Sequence, residues 1–273
     1  FIRVCEKNKL TYYLFGGSCL GAIRHQGFIP WDDDLDIAMP RPDFDKLMKL
    51  GKEFPDPYFL QNIRSDKHYV YSFAKLRNSN TTYIEYAYSH CRMNHGVWID
   101  IFPLDGMSKK IGKKEVKSLK PLLIWAGFCF AYCGHQIRPI RWDKHFFADL
   151  GLDIVGILFF PWNIGNWMTK CLEHYEKRIP WHKATLVGPY ETAYLNQEAL
   201  PPQVFGEGSP AKFEGLDVKV PYDYHAYLSH IYGNYMKLPP IEKQVGHHVH
   251  NGLDLNTPYK QYLGIKDKKK TRK

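Results

Sequence analysis

The acidic run from Trp31 to Ile37 contains the residues of this sequence most suited to chemistry. Asp34 and Asp36 are separated by one residue, so on a strand both carboxylates point to the same face and can share a divalent cation. Asp32 joins them only if the loop turns it inward. Crowded carboxylates repel one another, and a cation relieves that repulsion. The run therefore favours a metal site over a solvated acidic turn, while a calcium loop is disfavoured because Ile37 stands where its sharp turn demands glycine.

A glycine-rich junction precedes the acidic run. Gly16, Gly17 and Ser18 follow a predicted strand at 11–15 and precede a predicted short helix at 19–24. Glycines at such a junction let a phosphate approach backbone amides, and the start of a helix favours an anion. Gly-Gly-Ser alone is equally typical of a plain turn, so the phosphate interpretation depends on the nearby acidic run.

Two further predicted strands carry charged residues, and for each residue the sequence allows a functional and a structural interpretation. Asp100 lies in the middle of an apolar strand predicted at 96–102, where a carboxylate is costly to bury without a partner. A metal shared with the acidic run would supply that partner, and hydrogen bonds from loop amides are the alternative. Lys75 and Arg77 alternate on another predicted strand, which places them on one face. They are either contacts for nucleotide phosphates or surface charges.

The composition indicates a globular protein with a sizeable core and argues against a nucleic-acid-binding surface. The chain has 273 residues, of which 44% are hydrophobic and 24% charged, so disorder and coiled coil are excluded. The net charge is +9, but six basic residues and one acidic residue lie in the last eight positions, 266–273. The remainder carries a small excess of positive charge, and the basic tail is expected to be disordered. Six scattered cysteines without a Cys-x-x-Cys pair favour a reducing compartment.

The pattern of apolar and turn residues predicts an α+β fold, a mixed sheet flanked by helices. After Pro103 the character changes to a charged, helix-prone stretch at 109–120 and then to two apolar runs, 121–134 and 154–169. Both runs are too short to span a bilayer as a helix. They are either buried helices, which the pattern favours, or helices in a membrane interface. Besides those already given, we predict strands at 34–39, 58–63, 69–76, 81–86 and 213–220, and helices at 42–52 and 224–232.

Long motifs in this sequence resemble one known family. Residues 17–37 (GSCLGAIRHQGFIPWDDDLDI) and 98–105 (WIDIFPLD) look like the signature of the LicD family, bacterial phosphocholine transferases related to fukutin and fukutin-related protein. Looser similarities are Phe213–Gly215 with Val220-Pro221, and Tyr232–Met236 with Pro239-Pro240. The resemblance covers 1–105 well and 205–250 in patches. It implies a nucleotidyltransferase-like fold in which carboxylates hold Mg²⁺ against the phosphates of a nucleotide.

The resemblance also implies a reaction and a set of site residues. The reaction is transfer of a substituted phosphate, typically phosphocholine from CDP-choline, to a hydroxyl of teichoic acid, lipopolysaccharide or capsular polysaccharide. Ribitol or glycerol phosphate from a CDP-linked donor, or nucleotidyl transfer, are the alternatives. Mg²⁺, with Mn²⁺ as a substitute, would be held by Asp34, Asp36 and Asp100, the last being either a ligand or the general base. The expected contacts of the nucleotide or its phosphates are Gly16, Gly17, Ser18, Arg24, His25 and Lys75.

Several of these roles have structural alternatives. Arg24 and His25 would meet phosphate oxygens or merely stabilise their loop. Trp31 would stack on a base or flank the choline ammonium, although core packing is favoured. His247, His248 and His250 could bind zinc, but a loop near the active site is favoured because no Cys or carboxylate stands at ligand-like spacing.

We divide the chain by these observations. Residues 1–105 form the catalytic core, 106–200 a helical, membrane-proximal acceptor region, 201–265 a part that completes the catalytic domain, and 266–273 the basic tail. A catalytically idle membrane scaffold is the alternative from another functional class, and the intact acidic set argues against it. We expect an enzyme of the cytoplasm or of the inner face of the membrane, with a CDP-linked donor, a free or lipid-linked glycan acceptor and no nucleic-acid partner. Peripheral membrane contact would come from the two apolar runs and the tail.

Overall fold

The computed structural model describes residues 1–69, 71–85, 89, 91–107, 164–191, 198–246 and 250–262. The helices are α1 Ile2–Lys7, α2 Gly16–Arg24, α3 Arg41–Leu47, α4 Ile164–Glu176, α5 Pro202–Phe205, α6 Tyr224–Tyr232 and α7 Tyr259–Tyr262. Single 3₁₀ turns cover Gly51–Glu53, Trp181–Lys183 and Ile241–Lys243. The strands are β1 Tyr13–Leu14, β2 Asp36–Pro40, β3 Tyr58–Gln61, β4 Ala74–Asn78, β5 Thr82–Glu85, β6 Val97–Met107, β7 Leu186–Gly188, β8 Ser209–Phe213, β9 Leu216–Val220 and β10 His250–Asp254.

The main sheet has the order β1–β2–β6–β4–β3, and β7 pairs with the C-terminal end of β6. The β2–β6 pair is parallel and the other pairs are antiparallel. Separately, β10 pairs with β5, and β8 forms a hairpin with β9. The predicted α+β class, with a mixed sheet and flanking helices, is confirmed.

Alternation along the central strands separates a core face from a polar face. Ile37, Ile101 and Leu76 are buried in the main hydrophobic core, together with Phe15 of the β1–α2 junction and Phe44 of α3. Successive side chains of a strand point to opposite faces, so the residues between these apolar positions face the other way. The central strand β6 thereby supplies both core contacts and one row of polar side chains.

Residues after 200 pack directly on the first strand and helix. Tyr13 of β1 lies against Phe205 with ring centroids 5.7 Å apart, and Phe15 lies 5.3 Å from Tyr227 of α6. The Tyr227 hydroxyl accepts a hydrogen bond of 2.8 Å from the backbone N–H of Gly16. Through these two contacts of Tyr227, helix α6 holds the start of α2 in place.

A buried ion cluster joins α4 to the sheet. Arg41, at the start of α3, donates from Nε to Oδ1 of Asp105 at 2.6 Å and makes a second bond from Nη2 to the other carboxylate oxygen. The same Nη2 lies 3.4 Å from Oε2 of Glu176, whose other oxygen accepts from the Ser72 hydroxyl at 3.0 Å. Burial and the neighbouring Asp105 raise the pKa of Glu176. The end of β6 and the 72–73 segment are thus tied to residues of the 106–200 region.

Three predicted boundaries around the glycine-rich and acidic segments were wrong. Gly16, Gly17 and Ser18 do not precede the helix but form its first turn, because Phe15 takes the extended N-cap position. Strand β2 begins at Asp36 rather than at residue 34, because its ladder with β6 starts at the Asp36–Asp100 pair. Helix α3 ends at Leu47, and a separate 3₁₀ turn covers Gly51–Glu53.

Two predicted strands were also wrong in extent. The segment 213–220 is not one strand but the turn and second strand of a hairpin, because Glu214 and Gly215 adopt φ of 49° and 77°. The strand predicted at 69–76 begins only at Ala74, whereas helix α6 covers 224–232 as predicted. The charged stretch 109–120, the apolar run 121–134, the first part of 154–169, His247, His248 and the tail 266–273 lie outside the described residues.

Candidate active site

The acidic run forms a compact group of carboxylates. One carboxylate oxygen each from Asp32, Asp33 and Asp34 lies within 4.8 Å of the others. Asp32 and Asp34 are half-buried and Asp33 is exposed. Oxygen ligands at this proximity suit a hard divalent cation. The loop turns Asp32 inward, which sequence reasoning left open, and brings Asp33 into the group as well.

Asp36 and Asp100 approach each other through strand pairing. They are register partners in the parallel pair β2–β6, and Asp100 is in turn the register partner of Lys75 on β4. Register partners lie on the same face of a sheet. The three side chains therefore form one polar row across three adjacent strands, beside the acidic group. Asp36 and Asp34 converge because the loop leads into this row, not because both lie on one strand.

Lys75 is a buried cation at one end of this row. Its Nζ lies 2.9 Å from Oδ1 of Asp100 and 3.9 Å from Oε1 of Glu85. The same ammonium lies 4.1 Å from the ring centroid of Trp98, and its side chain is 3% exposed. A lysine is rarely buried so completely without a paired carboxylate. Of the two interpretations offered for Lys75, the surface charge is wrong.

Trp98 covers two cations and contacts the polar row. Its indole Nε1 donates to Oδ2 of Asp100 at 2.9 Å, and the Arg77 guanidinium carbon lies 4.7 Å from its ring centroid. Arg77 is fully buried and donates to Oε1 of Gln61 at 2.6 Å and to the carbonyl of Gly96 at 2.8 Å. Arg77 is therefore not a surface charge, and its guanidinium packs over the Trp98 ring.

Mutual repulsion perturbs the carboxylates. Burial, followed by the charge of Asp34, raises the pKa of Asp32 to about 7. Burial, followed by the charges of Asp34 and Asp100, raises the pKa of Asp36 well above its ordinary value, against the opposing effect of Lys75. Carboxyl groups that are costly to ionise together become fully ionised when a cation is added. The electrostatics of the site therefore fit a bound divalent metal.

The first turn of α2 lies against the acidic group. A Cβ added at Gly17 would lie 2.7 Å from Oδ2 of Asp32, so any other residue here would force the Asp32 carboxylate to shift. Ser18 is buried, and its Oγ accepts a hydrogen bond of 2.9 Å from the backbone N–H of Asp36. The Gly16 N–H is bonded to Tyr227, but within the described part of the chain the N–H groups of Gly17 and Ser18 find no acceptor. Such amides at a helix start can bind a phosphate.

Arg24 and His25 lie at the other end of α2. At 1.5 Å per residue, Arg24 is about 10 Å along the helix from Gly17. Its Nη1 donates to the carbonyl of Tyr235 at 2.8 Å, and the His25 ring lies 6.5 Å from Trp31, edge to face. Trp31 is half-buried and packs against the main core. These contacts match the loop-stabilising and core-packing alternatives for the three residues.

Sequence reasoning missed Glu85 and the role of Trp98. The signal for Trp98 was available, since it stands two residues before Asp100 and so shares its face of the strand. Glu85 gave no local signal because β5 lies outside the main sheet. It reaches Lys75 and Arg77 only through the fold.

The zinc alternative finds no support among the described residues. His250 makes an edge contact with the Tyr83 ring at 5.0 Å, and its two neighbours in the histidine cluster are outside the described range. Within that range, Asp32–Asp34 is the group of three potential ligands close enough to share a metal. In the same ranges, every helix is too short or too polar to cross a bilayer.

Comparison with known proteins agrees with this geometry. A family model described as the LicD/FKTN/FKRP nucleotidyltransferase domain matches residues 9–123, which include the acidic run, Lys75 and Asp100. The chain is 28% identical over 256 residues to the lipopolysaccharide cholinephosphotransferase LicD of Haemophilus influenzae, covering 91% of each protein. It is also 46% identical over 52 residues to an uncharacterized protein of Rickettsia prowazekii, covering 19% of this chain and 20% of that protein. Residues 9–123 therefore match the LicD/FKTN/FKRP nucleotidyltransferase domain, and over 91% of its length the chain is similar to a transferase of the LicD type.

Proposed function

We propose that this enzyme transfers phosphocholine from CDP-choline to a hydroxyl group of a lipopolysaccharide glycan, with Mg²⁺ as its cofactor. The observation that carries the proposal is the polar row of Asp36, Asp100 and Lys75 beside the acidic group. The similarity to a lipopolysaccharide cholinephosphotransferase over 91% of both chains supports the choice of phosphocholine and lipopolysaccharide.

The carboxylates suit Mg²⁺ or Mn²⁺ as the metal. Asp34, Asp36 and Asp100 are the proposed ligands, the same three that the sequence motifs implied, with Asp100 as either the third ligand or the general base. Asp32 is added because one of its oxygens lies within 4.8 Å of one from Asp34. All of these groups supply oxygen, the donor that hard divalent cations prefer. When bound, the metal neutralises charge on the diphosphate of the donor. The raised pKa values of Asp32 and Asp36 support this assignment. Nearby basic side chains do not offset the negative charge of these carboxylates, so a bound cation is needed to keep them ionised together.

Backbone and lysine nitrogens hold the donor phosphates. The first turn of α2 lies against the acidic group, and the N–H groups of Gly17 and Ser18 would bind the phosphate that becomes the leaving CMP. Lys75 lies on the other side of Asp100 from Asp36, where its ammonium would approach the transferred phosphate. Phosphoryl transfer depends mainly on positioning and on neutralising charge, so such contacts supply much of the catalysis.

The chemical step exchanges one phosphorus–oxygen bond for another. A hydroxyl oxygen of the acceptor attacks the choline-bearing phosphorus, and the bond from that phosphorus to the oxygen of CMP breaks. The hydroxyl proton passes to a carboxylate, for which Asp100 is the candidate when Asp34 and Asp36 hold the metal, because its contacts with Trp98 and Lys75 position its side chain. The products are the phosphocholine-substituted glycan, CMP and a proton.

Mass spectrometry of products tests the proposal. The enzyme is incubated with Mg²⁺, a lipopolysaccharide glycan and CDP-choline, CDP-ribitol or CDP-glycerol in separate reactions. We expect phosphocholine on the glycan and release of CMP, with activity lost in Asp34→Asn and Asp36→Asn. The matched control Asp217→Asn alters an exposed carboxylate and should retain activity. A nucleotide-bearing glycan, preference for a polyol donor, or full turnover by both site variants would contradict the proposal.

A further inference from the structure

The segment Asn234–Gly246 exposes an unusual amount of apolar surface. Met236, Leu238, Ile241 and Val245 are 57%, 53%, 84% and 54% exposed. Isolated exposed apolar residues are ordinary, but four within ten positions concentrate apolar surface on one short segment. Exposed apolar surface concentrated in this way commonly marks a site that binds a partner or a membrane.

The segment has a defined local structure. The carbonyl of Pro239 accepts a hydrogen bond of 2.9 Å from Nε2 of Gln244, and a 3₁₀ turn covers Ile241–Lys243. The N–H of Lys237 donates to the carbonyl of Asn234 at 3.0 Å. These bonds span the segment, so its apolar side chains are displayed from a closed loop, which we call the apolar loop.

One end of the apolar loop is bonded to helix α2, and the other end lies against the acidic group. At its beginning, the carbonyl of the buried Tyr235 accepts the 2.8 Å bond from Arg24 of α2, and the Tyr235 hydroxyl lies 3.0 Å from Nδ1 of His225. At its end, a Cβ added at Gly246 would lie 2.7 Å from Oδ2 of Asp33. A surface that binds the apolar loop is therefore brought next to the acidic group.

We propose that the apolar loop docks the enzyme on an anionic lipid surface and presents the active site to a lipid-anchored acceptor. The exposed Lys237 and Lys243 lie between the apolar side chains, against one exposed acidic residue, Glu242. Apolar residues interleaved with lysines suit a membrane interface, where the side chains enter the headgroup layer and the ammonium groups meet lipid phosphates. A second copy of the chain fits less well, because a stable dimer takes about 800 Å² from each partner, more than four partly exposed side chains provide.

The acceptor half of this inference rests on the proposed function, because a lipopolysaccharide acceptor is anchored by lipid. The docking half rests on the exposed residues alone. Sedimentation with vesicles, without donor or acceptor, therefore tests docking separately from turnover.

The experiment uses the full chain at low salt with vesicles of phosphatidylglycerol and phosphatidylethanolamine, and with phosphatidylcholine vesicles for comparison. Burial of an isoleucine side chain is worth roughly tenfold or more in affinity, so Ile241→Asp should weaken binding at least about tenfold. Lys243→Gln should weaken binding to the anionic vesicles about fivefold and leave binding to phosphatidylcholine unchanged. The control Leu216→Asp changes a residue that is 58% exposed at the β8–β9 turn, and it should bind like the original protein.

Three results would overturn the proposal. They are unchanged vesicle binding by Ile241→Asp, an equal loss in Leu216→Asp, and a dimer in analytical ultracentrifugation that Ile241→Asp dissociates. Matched melting temperatures establish that each variant is folded. Asp36→Asn should bind vesicles normally, so its turnover reports on the proposed function while its sedimentation reports on docking.

Discussion

Replacing Asp32 with asparagine should stabilise the metal-free enzyme at pH 8. The pKa of Asp32 is about 7 against an ordinary 3.8, because burial and the neighbouring Asp34 oppose its ionisation. At about 1.4 kcal/mol per pKa unit, this difference corresponds to roughly 4 kcal/mol. Asp32 is only half-buried, and solvent screening reduces the figure to about 2 kcal/mol. A gain of about 1–2 kcal/mol raises the melting temperature of a chain of this size by about 3–6 °C.

The sign of the pH dependence follows from the raised pKa. An acid whose pKa is higher in the folded state imposes no cost on folding below about pH 4, where it is protonated in both states. The cost grows between about pH 4 and 7 and is complete above about pH 7. The advantage of Asp32→Asn should therefore be present at pH 8 and largely absent at pH 4.

Thermal unfolding in EDTA at pH 8 and at pH 4 measures this effect. The control Asp217→Asn makes the same chemical change at a side chain that is 87% exposed, so its melting temperature should not move. Saturating Mg²⁺ should reverse the order, because binding to the native state stabilises the original protein more than the variant. An equal rise in the melting temperature of Asp32→Asn at both pH values, or no rise at pH 8, would show that ionised Asp32 does not destabilise the fold.

Three further outcomes are expected. Mg²⁺ affinity, measured by calorimetry, should weaken as the pH falls from 8 to 5, because Asp32 and Asp36 must lose protons to bind the ion; an affinity independent of pH would contradict convergence of these carboxylates. Arg41→Met should lower the unfolding free energy by about 3–5 kcal/mol in denaturant titrations, because it leaves Asp105 and Glu176 buried without their cation. Deleting residues 266–273 should reduce binding to anionic vesicles, and the binding that is lost should be the part that added salt also weakens. Turnover of a soluble acceptor should not change.

Local patterns predicted a large part of this protein. The spacing of Asp34 and Asp36 predicted that their carboxylates interact, and the cation between them stays a prediction. The placement of Asp100 in an apolar strand indicated a carboxylate that needs a partner, which is Lys75. The alternation of apolar residues located most of the strands of the main sheet, and α6 was predicted over its full length. Such features depend on neighbours within a few residues, so the order of the amino acids is enough to infer them.

The arrangement of the site was decided by long-range pairing. Asp36, Asp100 and Lys75 form one row only because β6 pairs with β2 on one side and β4 on the other, in one register. A shift of one residue would turn Lys75 to the opposite face. Burial was likewise a tertiary property, since Lys75 is enclosed by Trp98 and Glu85 from separate strands. The sequence alone thus determined which residues could do the chemistry, and the contacts between distant strands decided which of them meet, because register and burial arise only when those strands pack together.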